Sequence, residues 1–217
     1  MTETAHTLTA VSLALYAAAT LLYAAMWLRS HGVLRILAPS MLGIGLVANL
    51  VQLVHRWLEA NQPPFKTLYE SLVLLAACIA LVYLVVELVY RARILGLPSA
   101  LACAGVMLYA LLRQDKDVVN LPPALQSGWF IPHVVVYFFG YAAVFVATAA
   151  AVLFILRPAP IRLRRADLTG SDEIDVEAFM TSSVRFGFVL LTLGLLMGAF
   201  WAKEAWGDYW VWDPKET

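Results

Sequence analysis

The stretch LYESLVLLAACIALVYLVVELVY, residues 68–90, decides the fold class. Its only charges, Glu70 and Glu87, stand toward its two ends, and everything between them is apolar or small. A helix needs about 20 such residues, rising about 1.5 Å each, to cross a hydrocarbon core. A strand is excluded, because an open strand in lipid leaves its backbone N–H and C=O groups unpaired. Working outward, five more stretches have the same character: residues 7–28, 36–54, 94–112, 131–156 and 184–202. The 217-residue chain is 62% hydrophobic and 14% charged, with a mean hydropathy of +0.77. An average soluble domain is about 45–50% apolar and about 25% charged. Composition therefore excludes a soluble globular domain, a disordered chain and a disulfide scaffold. The expected fold is all-α, a polytopic integral membrane protein with six transmembrane helices forming one domain over residues 1–217.

Charge decides orientation rather than partner. Fifteen Lys+Arg against fifteen Asp+Glu leave no basic excess to recruit nucleic acid. The leading MTETAH carries Glu3 and no Lys or Arg, the wrong charge for a cleaved signal peptide. The connections after the first, third and fifth spans hold nine basic residues, and RLRR at 162–165 is the densest cluster. The opposite side holds six: Arg56, Lys66, Arg113, Lys116, Lys203 and Lys215. Cytoplasmic loops carry the Lys/Arg excess, so the N-terminus is expected outside. Residues 114–130 and everything after Ala202 then share the outer face. Residues 157–183 form the only long polar connection, read as a cytoplasmic loop with room for a short helix.

Inside the spans, Cys78 and Cys103 form no C-x-x-C or C-x-x-C-H motif and read as small hydrophobes. Glu87 stands four residues before Arg91, the spacing of a helix-end ion pair, which is preferred here to a proton-relay role for a carboxyl within a span. Glu70 and Tyr69 open the third span, where a carboxylate suits a helix N-terminus or shapes the nearby outer face. Asn49 and Gln52 are expected to hydrogen-bond to neighbouring helices, and Gly43 and Gly45 to permit close helix contact.

The end of the chain reads GAFWAKEAWGDYWVWDPKET, so that Trp201, Trp206, Trp210 and Trp212 fall within twelve residues, out of seven tryptophans in all. One reading is an ordinary interfacial belt of indoles at headgroup level. The other is a binding surface. Indoles interleaved with Glu204, Asp208, Asp213, Lys203 and Lys215 offer wide apolar faces to a flat conjugated ligand and cations to carboxylates on its rim. A porphyrin with two propionates has both features, and its iron would take an imidazole as axial ligand. Of the four histidines, His133 lies at the outer mouth of the fifth span just after Pro132, facing the Trp-rich end. His55 sits near the outer end of the second span, His31 in the cytoplasmic turn and His6 near the start.

These residues carry a resemblance. The segment ending WDPKET is similar to the tryptophan-rich "WWD" signature of haem-handling membrane proteins, and most closely resembles the CcsA (ResC) branch of the system II pathway of cytochrome c biogenesis. LPPALQSGWFIPHV, PPFKTLYESLVLL and FGFVLLTLGLLMGAFWA resemble further stretches of that family in order, from about Pro63 to Thr217. The resemblance implies that haem b is bound as a substrate on the outer face, with His133 as an axial ligand of the haem iron. Trp201, Trp206, Trp210 and Trp212 would form its platform, and Glu204, Asp213 and Lys215 would orient its rim or an incoming peptide. It further implies a bacterial cytoplasmic (inner) membrane location with a periplasmic functional face. The partners would be apocytochrome c, through its C-x-x-C-H thiols, and a ResB/CcsB-type membrane protein, the two membrane proteins acting together as a cytochrome c synthase (haem lyase). The family pattern continues past WDPKET through further spans carrying a second external histidine and a membrane-embedded one. This sequence stops at Thr217, so a fragment or a truncated product is expected, and within it only His55 is placed to substitute. The competing classes are a transporter or channel subunit, which predicts ionisable residues along a pore, and a structural membrane subunit with a plain Trp belt.

Overall fold

In the computed structural model, residues 3–28, 32–113, 122–156, 162–166 and 171–212 are described. Six helices dominate: α1 Glu3–Leu28, α2 Leu34–Ala60, α3 Leu68–Tyr90, α4 Gly96–Leu112, α5 Phe130–Leu156 and α6 Val176–Trp206. Each is long and apolar enough to span a membrane, as the hydropathy of the sequence requires. Most extend past the stretches read from the sequence, because amphipathic turns such as His55–Ala60 and Val176–Ser183 continue the hydrogen-bonded ladder beyond the apolar core.

The helix ends follow local chemistry. Thr67 caps α3 by accepting from Glu70 N, and the Glu70 carboxylate returns to the Thr67 and Lys66 N–H groups at 3.0 and 2.9 Å, a capping box. Glu70 is thus a helix cap. Asp175 accepts from Glu177 N to open α6, and Gly207, at φ 90°, closes it. The 157–183 connection departs from the expected loop with a short helix. Residues 162–166 and 171–175 pair as an antiparallel hairpin, β1 Arg162–Ala166 and β2 Ser171–Asp175, with Arg162 opposite Asp175 and Arg164 opposite Glu173. The helical signal in the second half of the connection belongs to the first turns of α6.

Helices α1 to α4 form one unit in which α1 touches α2 and α4 while α3 touches α4 and α2. Helix α5 packs on α3, and α6 packs on α5. Close approach is set by small residues. A Cβ at Gly45 would lie 2.9 Å from the Tyr16 ring, and one at Gly140 would lie 2.8 Å from Leu191. Gly43, in contrast, has open space before it, so of the expected pair only Gly45 serves contact.

Polar groups inside the bundle meet across helices. Asn49 donates to Tyr16 Oη at 3.2 Å, and Gln52 donates to Thr9 Oγ1 and Tyr69 Oη at 2.8 and 2.7 Å, as expected of amides in a membrane interior. Buried Arg56 pairs with Glu70 at 2.7 Å. Glu87 does not pair with Arg91. Arg91 ends α3 in the left-handed region at φ 48°, and the 3-10 turn Arg93–Leu95 brings Arg93 back instead, its Nε 3.7 Å from Glu87 Oε1. The other carboxylate oxygen accepts from Tyr23 and Tyr83, both at 2.6 Å. Both cysteines are buried and free.

Candidate functional site

The Trp-rich end of α6 and the start of α5 lie together. The loop before α5 holds a 3-10 turn, Pro123–Leu125, from which Ala124 O accepts the indole N–H of Trp201 at 2.7 Å. Ser127 of the same loop donates its hydroxyl to the carboxylate of Glu204. These two contacts fasten the last turns of α6 to the entrance of α5. A shallow cleft bordered by Asn61, Gln62, Gln126 and Ser127 places the end of α2 at the same level.

His133 follows Pro132 in the first turn of α5, where a missing N–H costs the helix nothing. Its ring is half-buried against α6. Nδ1 lies 2.8 Å from Gly194 O, and since a carbonyl only accepts, Nδ1 carries the hydrogen. The neutral ring therefore keeps its lone pair on Nε2. A carbonyl that fixes tautomer and ring orientation from the far side of the ring is the usual support of an imidazole that ligates a metal. Room for the ring comes from α6: a Cβ at Gly198 would stand 2.6 Å from His133 Cε1, and one at Gly194 would stand 2.7 Å from the Tyr137 ring. Trp201 stacks on the imidazole with ring centroids 5.8 Å apart and planes at 26°. Tyr137 meets its edge at 4.8 Å.

From His133 a cleft of about 590 Å³ opens along α5 and α6, walled by Tyr137, Phe138, Tyr141, Leu196, Gly198 and the indoles of Trp201, Trp206 and Trp210. Ligand clefts run from about 300 to 1,000 Å³, mostly apolar with a few fixed polar groups, and this one conforms. Trp206 meets Trp201 edge-on at 4.8 Å, so the two indoles make one corner. Trp212 stands outside, 80% exposed, and among the described residues its ring contact is with Trp210. Glu204 reaches the loop, not the cleft. Asp213 and Lys215, and also His31, lie outside the described residues. His55 projects from α2, which packs on α1 and α3, with Glu59 as its neighbour at 3.8 Å, and it does not line the cleft. A second cleft of about 550 Å³ between α3, α5 and α6 is walled by residues such as Val85, Phe139 and Phe186, with no His, Cys, Lys or carboxylate among its lining.

Sequence reasoning named the imidazole and the indoles. It did not name Tyr137, Gly194 or Gly198. The Gly194-x-x-x-Gly198 spacing on an apolar helix was the available signal, since small residues four apart let another helix approach.

Comparison with known proteins follows the same residues. Residues 65–217 match the family described as cytochrome C assembly protein. The cytochrome c biogenesis protein CcsA of Prochlorococcus marinus (strain MIT 9301) is 36% identical over 204 residues, covering 80% of this chain and 65% of that protein. The CcsA of Synechococcus sp. (strain CC9902) is 35% identical over 203 residues, with coverages of 79% and 66%. The chain thus spans just under two thirds of the length of these relatives. Among solved structures, the cytochrome c haem lyase CcmF superposes with a TM-score of 0.66 at 17% identity, over 98% of this chain and 38% of its own. At that identity the likeness is one of fold.

Proposed function

We infer from one premise, that the chain belongs to the cytochrome c assembly protein family, a role in cytochrome c maturation: the cleft holds haem and presents it to an apocytochrome. The observation that carries the reading is the imidazole of His133, its Nδ1–H held by Gly194 O and its Nε2 lone pair retained, at the wall of an indole-lined cleft. That donor set fits haem: a neutral nitrogen for iron and apolar ring faces for the macrocycle. The name of the structural neighbour, a haem lyase, points to the same chemistry.

In this reading haem b is the bound substrate and His133 one axial ligand to its iron. Trp201, fixed by Ala124 O, backs the imidazole, while Trp206 and Trp210 cover the ring plane. Asp213 and Lys215 are assigned, from the sequence alone, to orient the propionate rim or the incoming peptide. Glu204 acts one step away, by holding the 122–129 loop through Ser127. Each thioether forms when a C-x-x-C-H thiol adds across a haem vinyl group, S–C and C–H bonds replacing S–H and the C=C π bond. The protein's part is to hold the vinyl edges toward the peptide and keep water from the ring. The site faces the outer side of a bacterial cytoplasmic membrane, with the N-terminus on the same side and a ResB/CcsB-type partner alongside, as in a system II synthase.

A plain interfacial belt accounts for exposed Trp212 but not for Trp201, whose N–H is spent on the loop and whose face lies on the imidazole. The test is spectroscopic. Full-length protein purified with its partner is expected to show a low-spin haem spectrum that weakens in His133→Ala. Unchanged haem content and spectrum would remove the ligand assignment. Replacing Trp206 and Trp210 together by Phe should lower haem content, whereas a belt would tolerate the change.

A further inference from the structure

Helices α1 to α4 contribute nothing to the haem cleft, yet their interior is the most polar part of the molecule. At one end Glu87, 8% exposed, accepts from Tyr23 and Tyr83 at 2.6 Å, with Arg93 beyond. At the other, Glu70 pairs with Arg56, and Tyr69 joins Thr9 and Gln52 at 2.7 Å each. Between them, Asn49 donates to Tyr16 Oη at 3.2 Å. Thr9, Ser12, Tyr16 and Tyr23 recur at spacings of one or two turns, so they lie along one face of α1, and all four are fully buried.

Direct hydrogen bonds leave two breaks in this series, one from Tyr23 to Tyr16 and one from Tyr16 to Thr9. Orphaned polar atoms stand at both. Ser12 Oγ lies between Tyr16 and Thr9 on α1 and has no hydrogen-bond partner. Ser99 Oγ, also without one, lies one turn along α4 from Gly96, whose own face packs on the Tyr23 ring and Tyr83 Oη. Neither serine bonds back to its own helix, the usual refuge of a buried helical hydroxyl. The acceptors Asn49 Oδ1 and Gln52 Oε1 are equally buried and unpaired. Each such group costs about 1–3 kcal/mol if left unsatisfied, and internal water, making about three hydrogen bonds, is the ordinary remedy in a polar interior.

We propose that a file of internal waters at Ser12, Asn49, Gln52 and Ser99 completes this series, and that protons pass along it between Glu87 and the cluster of Tyr69, Thr9 and Gln52 at the opposite end. Carboxyl groups within spanning segments are the usual carriers of such relays. A proton taken up by the Glu87 carboxylate moves on as the Tyr23 hydroxyl accepts one proton on its oxygen and releases another to water at Ser99. The same exchange repeats through Tyr16, water at Ser12 and Tyr69. Only O–H bonds are made and broken, and no electron is transferred. Transfer proceeds by exchange of O–H bonds and not through an open pore.

The test uses full-length protein in phosphatidylcholine vesicles loaded with a pH-sensitive dye, with a potassium diffusion potential driving proton uptake. Uptake is expected above that of protein-free vesicles and to fall by about tenfold or more in Glu87→Gln, since an amide cannot carry the proton. Ser12→Ala with Ser99→Ala should slow it similarly, and Leu88→Val, on the lipid-facing side of α3, should not change it. Should Glu87→Gln fold poorly, Tyr23→Phe gives the same comparison. Wild-type uptake equal to that of empty vesicles, or uptake unaffected in a variant that melts at the wild-type temperature, overturns the proposal. Haem content in the same preparations separates this outcome from failure of the cleft, with which it shares no residue.

Discussion

At the scale of single residues, the cleft depends on what α6 lacks. His133 reaches its place only because Gly198 presents no Cβ, which would stand 2.6 Å from Cε1 and 2.7 Å from Nδ1. Both atoms belong to a ring pinned by Gly194 O and Trp201 and cannot move aside cheaply. Gly198→Ala should therefore turn the imidazole out of its stack and break the Nδ1–H bond. Overpacking of this kind costs about 1–3 kcal/mol, against a gain of up to about 1 kcal/mol from helix propensity. The expected outcome is a modest change in melting temperature but a clear loss of haem, read as absorbance per protein. Ser at the same position, which carries the same Cβ, should do likewise. Retention of full haem in both variants would show that the ring does not need this space. The sequence marked His133, since a histidine beside indoles is conspicuous. It marked the glycine only through its spacing from Gly194, which signals close helix contact but not that a histidine fills the space.

At the scale of elements, α2 and α3 are joined by one buried ion pair. Arg56 is 2% and Glu70 5% exposed, and the Arg56 guanidinium also lies over the Tyr69 ring, 5.1 Å from its centroid. Glu70 closes the α3 capping box as well, so one carboxylate ends a helix and ties it to its neighbour. Removing one partner strands the other charge, at a cost of about 3–5 kcal/mol, whereas replacing both by apolar residues of similar volume is often neutral. Arg56→Ala is thus expected to lower the thermal midpoint in detergent far more than Arg56→Met combined with Glu70→Gln, which keeps the cap acceptor. Equal losses would mean that the pair contributes packing alone. Such links explain what hydropathy could and could not reveal. All six spans were readable because an apolar stretch of spanning length admits one solution in lipid. The polar face of α1 was not, because Thr, Ser and Tyr at helical spacing scarcely lower the hydropathy of an alanine-rich segment. Glu87 was paired with the wrong arginine for a geometric reason. Spacing of four assumes a continuing helix, but α3 ends at Arg91, and the following 3-10 turn delivers Arg93 instead.

At the scale of the whole molecule, the six helices sort their connections into two ends. The His133 cleft shares its end with the Arg56–Glu70 pair, and the hairpin of residues 162–166 and 171–175 shares the other with Glu87, where Tyr90 meets Phe179 at 5.1 Å. The basic excess lies at the hairpin end, and the proposed function requires the cleft to face away from it. That orientation gives a measurable asymmetry. Cys78 and Cys103 are buried and will not react with a membrane-impermeant maleimide, so the wild-type chain is a clean background. Asp208 is exposed beside the cleft, and Gly32, with open space around it, lies in the turn between α1 and α2 at the opposite end. In intact spheroplasts Asp208→Cys should label within minutes and Gly32→Cys only after the membrane is opened. The reverse pattern would put the cleft in the cytoplasm, out of reach of an exported apocytochrome, while leaving the cleft itself intact. Haem content measured on the same two variants should equal that of the wild type, so that the direction of the site and its chemistry are read independently.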